Sequence, residues 1–229
     1  MSPKTALPKA WVLILFVFAA STLANDSPIE RWANAVGGRE KIAAIKSIYR
    51  EGTIEFGGVQ VSLKVWHTAD GKYRKEEKGD TYSLIETFDG VNGMAQQGDQ
   101  PPHKMTPPEL ELATSRRFAN ANAMFFAFFP ERRRGTVAIE SDNTIVLKPE
   151  GGVEWRITLD PQTSLPKTMV HKEGERTITV TLDSYETVEG IKFEKEIHRS
   201  AGGPQSAAIR FTRTVINPPI DASLFSIKE

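Results

Sequence analysis

Four histidines, His67, His103, His171 and His198, are the side chains of this sequence best suited to proton or metal chemistry. No two share ligand spacing, so each is expected to be a surface or strand residue, and no metal site is expected. There is no cysteine, which removes disulfides, thiolate nucleophiles, cysteine-based metal centres and a lipid anchor on an N-terminal cysteine. No Gly-x-Ser-x-Gly elbow, phosphate-cradling loop or His-Glu-x-x-His helix is present. Carboxylates are many, but no pair is singled out for acid–base work. The pattern therefore points away from an enzyme and from any cofactor.

What remains is apolar and cationic. Phe118, Phe125, Phe126, Phe128 and Phe129 crowd one segment. They could line a cavity for an acyl chain together with Val61, Leu63, Val65, Ile178 and Val180 from two-faced strands. The same residues would equally fill a packed core with no cavity. Arg132, Arg133 and Arg134, with Arg116 and Arg117, could hold a headgroup or an acidic protein partner. As a run of charge they could also be simply solvated.

The elements that would position these residues follow from periodicity. Residues 155–216 alternate apolar and polar side chains along successive short runs. Trp155, Ile157 and Leu159 form one run; Ile178, Val180 and Leu182 form another, interleaved with Thr177, Thr179 and Thr181. Such alternation marks strands that are wet on one face, and their short connections make neighbours antiparallel. Upstream, Val59, Val61, Leu63 and Val65 follow a Gly57-Gly58 hairpin signal. Residues 72–77 are strongly charged and are expected at the rim.

Two capping boxes flag helices. Ser27-Pro28-Ile29-Glu30 opens one that stops at Gly37-Gly38. Thr106-Pro107-Pro108-Glu109 opens a longer one, expected to run to about Phe129 with Phe118, Phe125 and Phe129 on one stripe and Phe126 and Phe128 widening its apolar surface. The Pro- and Gly-rich residues 98–108 are expected to break the sheet. The reading is thus mainly β (α+β): a curved antiparallel sheet of about eleven strands, with the Phe-rich helix plugging its apolar hollow.

Bulk properties narrow the partners. Lys plus Arg and Asp plus Glu number 29 each, so the formal charge is zero. Nucleic acid and anionic membrane surfaces select basic faces, so neither is expected. Lys4 and Lys9 precede an apolar run of residues 11–20 and small residues ending at Ala24. This is the form of a signal peptide, residues 1–24, with residues 25–229 as a single exported domain. An uncleaved N-terminal anchor is the alternative.

Several segments together resemble the LolA/LolB-type lipoprotein-carrier superfamily. They are Gly37-Gly38-Arg39-Glu40-Lys41 with Ile45-Lys46-Ser47-Ile48, the Phe88-Asp89-Gly90 turn, and residues 160–166. Leu182-Asp183-Ser184-Tyr185 with Gly190, and Asn217-Pro218-Pro219-Ile220-Asp221 with Leu224-Phe225, complete the set. The resemblance implies a periplasmic half-barrel with a helical lid that binds a lipid or lipoprotein acyl chain, in transport toward the outer membrane. The chain departs from that pattern where the carriers' latching Arg-Pro pair would stand: it reads His67-Thr68-Ala69-Asp70. A monomeric, non-enzymatic carrier of an apolar ligand is the expectation, with a periplasmic structural or signalling module that binds a protein as the alternative.

Overall fold

The computed structural model describes residues 27–116, 122–202 and 206–227. The expected signal peptide, Arg117 and Phe118 lie outside the described residues. Two short helices come first, α1 (Pro28–Val36) and α2 (Arg39–Ala43). Six strands follow: β1 (Ser47–Phe56), β2 (Val59–Thr68), β3 (Tyr73–Lys78), β4 (Ser83–Phe88), β5 (Gly93–Gln97) and β6 (His103–Lys104). Then come α3 (Pro107–Arg116) and α4 (Ala123–Phe128). Seven strands close the chain: β7 (Gly135–Ser141), β8 (Thr144–Pro149), β9 (Trp155–Leu159), β10 (Pro166–Glu173), β11 (Arg176–Val188), β12 (Ile191–Ser200) and β13 (Ser206–Ile216).

All thirteen strands belong to one sheet, in the order β6-β5-β4-β3-β2-β1-β13-β12-β11-β10-β9-β8-β7. Every pairing is antiparallel, and the end strands β6 and β7 do not pair with each other. The sheet is therefore a half-barrel and not a closed one. One junction is non-sequential: β1 pairs with β13, so the last strand is seated between the first strand and β12. At that seam Gly52 has no room for a side chain, because a Cβ would overlap the Arg210 carbonyl and approach the Phe211 Cα to 2.9 Å. The ladder also shifts register between Glu51 and Gly52.

The count exceeds the expected eleven partly because residues 98–108 do not simply break the sheet. His103 and Lys104 pair with Ala95 and Met94 before the chain turns into α3. At the β1–β2 hairpin, Phe56 pairs with Val59. Gly57 and Gly58 both take positive φ, 56° and 78°. Two left-handed residues in a two-residue loop match the twist of the flanking strands, and glycine adopts them without steric cost.

The helices form a lid over the concave face. Ser27 caps α1, its hydroxyl accepting from the Glu30 amide at 3.3 Å. The helix buries Trp32, Ala33 and Val36. Glu109 closes the start of α3 by accepting from the Thr106 amide and hydroxyl at 2.7 and 2.8 Å. The expected continuous helix to Phe129 is seen as two described segments with different seats. α3 buries Ala113 in a small cluster with Tyr73 and Phe88. In α4, all six residues are buried. They join the main core with Trp32, Ile145, Leu147 and Ile157.

Curvature can be read from one side chain. Glu86 on β4 and Glu173 on β10 are separated by seven strand steps in the sheet order. On a flat sheet that is about 34 Å at about 4.8 Å per step. Yet the Arg116 guanidinium at the end of α3 reaches Glu86 at 2.8 Å and Glu173 at 3.8 Å. The two walls have curled until one residue touches both.

Candidate functional site

The concave face holds a hollow of about 720 Å³, within the range that small-molecule sites occupy. Its walls come from β1–β4 on one side and β9–β13 on the other, with Arg116 and Asn122 contributed by the lid. Ile48, Ile54, Leu63, Val65, Ile209 and Phe211 supply much of its apolar lining.

Of the side chains expected at a cavity, Leu63, Val65 and Val180 line this one. Val61 and Ile178 are buried in the main core and do not line it. Phe125, Phe126, Phe128 and Phe129 are likewise core residues. Phe128 meets Trp32 of α1 edge-on, with ring centroids 4.8 Å apart and planes at 75°. Phe118 lies outside the described residues.

The arginine run splits in the same way. Arg133 turns back to donate to the Phe126 and Ala127 carbonyls, each at 3.2 Å. A cation there satisfies orphan acceptors at the end of α4 and complements the helix dipole. Arg39 donates to the Phe128 carbonyl while paired with Glu30 at 2.6 Å. Arg132 is exposed, 3.6 Å from Glu131, with its guanidinium 4.7 Å from the Phe129 ring centre. Arg134 is exposed beside the edge strand β7.

The hollow also contains what hydropathy alone does not show, a network of paired charges. Lys75 sits 2.9 Å from Glu77 and 3.0 Å from Glu86. Arg116 joins Glu86 to Glu173, and Arg199 meets Glu173 at 2.7 Å. His171 Nε2 lies 3.2 Å from Glu173, and Tyr82 donates to Glu77 at 2.7 Å. Deeper, Arg50 and Glu194 pair at 2.6 Å.

These contacts set the ionisation states. Burial works to raise the Glu86 carboxyl, but Lys75 and Arg116 outweigh it and hold the pKa at about 2. Glu173 is held at about 2 as well, first by its hydrogen bond to His171, against burial, with Arg199 and Arg116 adding to the effect. Glu86 in turn raises Arg116 above its ordinary value, against the desolvation of a guanidinium that is only partly exposed. His67 is driven down to about 3 by burial and then by the Arg50 charge, so it is neutral at physiological pH.

Residues 72–77 are expected at a rim, but Lys75 and Glu77 line the hollow. The four histidines lie on strands as expected, and beyond that His67 and His171 line the hollow, His171 being buried. The missed signal is parity. Arg50 shares its alternation with Ile48 and Ile54, and Glu86 with Leu84 and Phe88. His171 and Glu173 share theirs with Met169. A charged residue on the apolar parity of a strand must be paired inside the fold.

Among the described residues, no cluster of three or more His, Cys, Asp and Glu side chains could hold a metal ion. No helix among them is long and apolar enough to cross a membrane.

No protein-family model and no curated protein matches the chain. Solved structures do resemble it. A DUF1329 family protein from Desulfovibrio piger aligns with TM-score 0.54 at 10% identity, over 87% of this chain and 98% of its own. A LolA superfamily protein from Nitrosomonas europaea gives 0.54 at 8%, over 87% and 96%. A domain assigned to outer membrane lipoprotein sorting, from Vibrio parahaemolyticus, gives 0.51 at 8%, over 86% and 97%. The chain has a LolA-like fold.

Proposed function

We propose that this protein is an exported, non-enzymatic carrier that holds an acyl chain or similar apolar ligand in the hollow of its curved sheet. The observation that carries the reading is the cavity itself, a space of about 720 Å³ on the concave face beneath the lid. The hollow opens to solvent, so an apolar chain seated in it would take its own surface and the apolar lining out of water. Burying a sixteen-carbon chain would contribute on the order of 10 kcal/mol before ordering costs, at about 0.8 kcal/mol per methylene. The neighbouring LolA superfamily structure and the lipoprotein-sorting domain support a carrier role in lipid or lipoprotein transport to the outer membrane. Residues 1–24 as a cleaved signal peptide would deliver residues 25–229 to the periplasm as a monomer. Native mass spectrometry of the purified protein, followed by solvent extraction and lipid analysis, tests this reading. A bound acyl lipid, or uptake of an added one, is expected; a protein that neither retains nor takes up any such lipid is not this carrier.

A second reading places a periplasmic protein partner at the open edge. Arg132 and Arg134 are exposed next to β7, whose Ile139 is 50% exposed. An unpaired edge strand can accept a strand from another chain. Charge reversal at Arg132 and Arg134 would then abolish a pull-down partner that the parent protein retains.

A further inference from the structure

We infer that the hollow selects an electrically neutral lipid bearing ester, amide or hydroxyl groups over a free fatty acid. The inference deepens the proposed carrier function and rests on it.

Among the described residues, the lining carries four cations, Arg50, Lys75, Arg116 and Arg199, and four anions, Glu77, Glu86, Glu173 and Glu194. Every cation already has a carboxylate within 3.0 Å. An arriving carboxylate would therefore meet four like charges and would have to displace one of them to gain a counter-ion. Bringing an ion out of water into such a site is costly unless it finds a partner there.

Neutral polar groups find the opposite situation. Four buried side-chain atoms lack a hydrogen-bond partner among the described residues: Tyr73 Oη, Asn122 Oδ1, Trp155 Nε1 and His171 Nδ1. All four belong to residues that line this hollow. The Tyr73 hydroxyl lies near the Arg116 guanidinium, but not in hydrogen-bond geometry. Trp155 Nε1 is a donor only. His171 directs Nε2 at Glu173, whose carboxylate can only accept, so that nitrogen is the donor, and in the neutral imidazole Nδ1 is then an acceptor. Trp155 and His171 stack with ring centroids 3.9 Å apart, so a donor-bearing ring and an acceptor-bearing ring share one part of the wall. Each atom is shielded from water as it stands; with a small turn of its side chain toward the hollow, an ester carbonyl would accept from the donors, and a glycerol hydroxyl would donate to Asn122 or His171. Buried polar atoms left unpaired are costly, so a ligand that pairs them gains on binding.

The test is competition between monoolein and oleate, offered in equal amounts to lipid-stripped protein at pH 7.5 and quantified after re-isolation. The two share one hydrocarbon chain, so the apolar contribution cancels. Retention in favour of monoolein by about tenfold or more is expected. Equal retention, or an excess of oleate, would overturn the inference while leaving the carrier reading intact. Retention of neither lipid overturns both. Glu86→Gln removes one of the four anions and leaves Arg116 with only the longer 3.8 Å pairing to Glu173, so the ratio is expected to move toward oleate; an unchanged ratio counts against the charge argument. Trp155→Phe keeps a ring against His171 but removes the donor, and is expected to weaken monoolein retention and not that of oleate. Equal weakening of both would show that the indole serves only as packing.

Discussion

Arg50 and Glu194 meet across an intervening strand. Arg50 is on β1 and Glu194 on β12, and β13 runs between them. The guanidinium crosses above the Phe211 ring of β13, 3.4 Å from its centre, and reaches the carboxylate at 2.6 Å. Its other nitrogens donate to the Glu194 carbonyl and, at 3.2 Å, to Thr214. Both side chains are 3% exposed. The pair therefore fastens three strands at the one place where the sheet order departs from chain order.

Removing one member leaves the other buried and uncompensated. Arg50→Ala is expected to cost about 3–5 kcal/mol in urea denaturation, whereas the double change to methionine at both positions costs much less. Equal losses in the single and double variants would show that shape, not charge, matters at this site.

Acid stability follows from the two depressed carboxyls. Their folded pKa values, about 2, lie below the ordinary 4.5. The folded state therefore binds fewer protons than the unfolded one in that interval. The stabilisation is fully present above pH 4.5 and is lost as pH falls toward 2. Denaturation midpoints measured across this window are expected to drop steeply in the parent protein and less steeply in Glu86→Gln.

Arg116 is the lid's contact with both walls, and its side chain remains 35% exposed. Glu86 would keep Lys75 and Glu173 would keep Arg199 without it. Arg116→Ala is thus expected to cost only about 1–3 kcal/mol. Hydrogen exchange in α3 is expected to accelerate more than exchange in β11 and β12. Uniform acceleration throughout would mean that Arg116 stabilises the whole fold and not the lid.

Ala207 on β13 lines the hollow and is only partly buried. A tryptophan there would fill part of the hollow. Ala207→Trp is expected to reduce uptake of an acyl probe about tenfold or more, with a melting temperature close to the parent's. Undiminished uptake would place the ligand elsewhere.

Phe126, at 0% exposure, belongs to the core and does not line the hollow. Phe126→Ala is expected to cost about 3–5 kcal/mol. Uptake by the molecules that remain folded should be unchanged. Loss of uptake without loss of stability would return this ring to the binding site.

The sheet was largely legible because strand periodicity and turn chemistry agree. Val61, Leu63 and Val65 follow a Gly57-Gly58 loop whose glycines both adopt the left-handed conformation such a loop needs. The seat of the phenylalanines was not legible. Helical spacing shows that Phe125 and Phe128 sit on an apolar surface, but not that they join the core, Phe128 against Trp32 some ninety residues earlier, instead of lining an opening. The charge network was half legible. Parity alone puts Glu86 and Glu173 on the inner face. That one arginine serves both depends on how far the sheet curls, and twist accumulated over many strands cannot be read from any one of them.

The unjoined ends at β6 and β7 have a mechanical consequence. In a closed ring of strands, dilation must tear inter-strand hydrogen bonds somewhere around the circumference. Here the margins can spread or approach through small changes in twist at each step, with every ladder intact. The curled sheet can thus change its girth without losing a ladder, against the restoring pull of the ion pairs by which Arg116 ties Glu86 to Glu173.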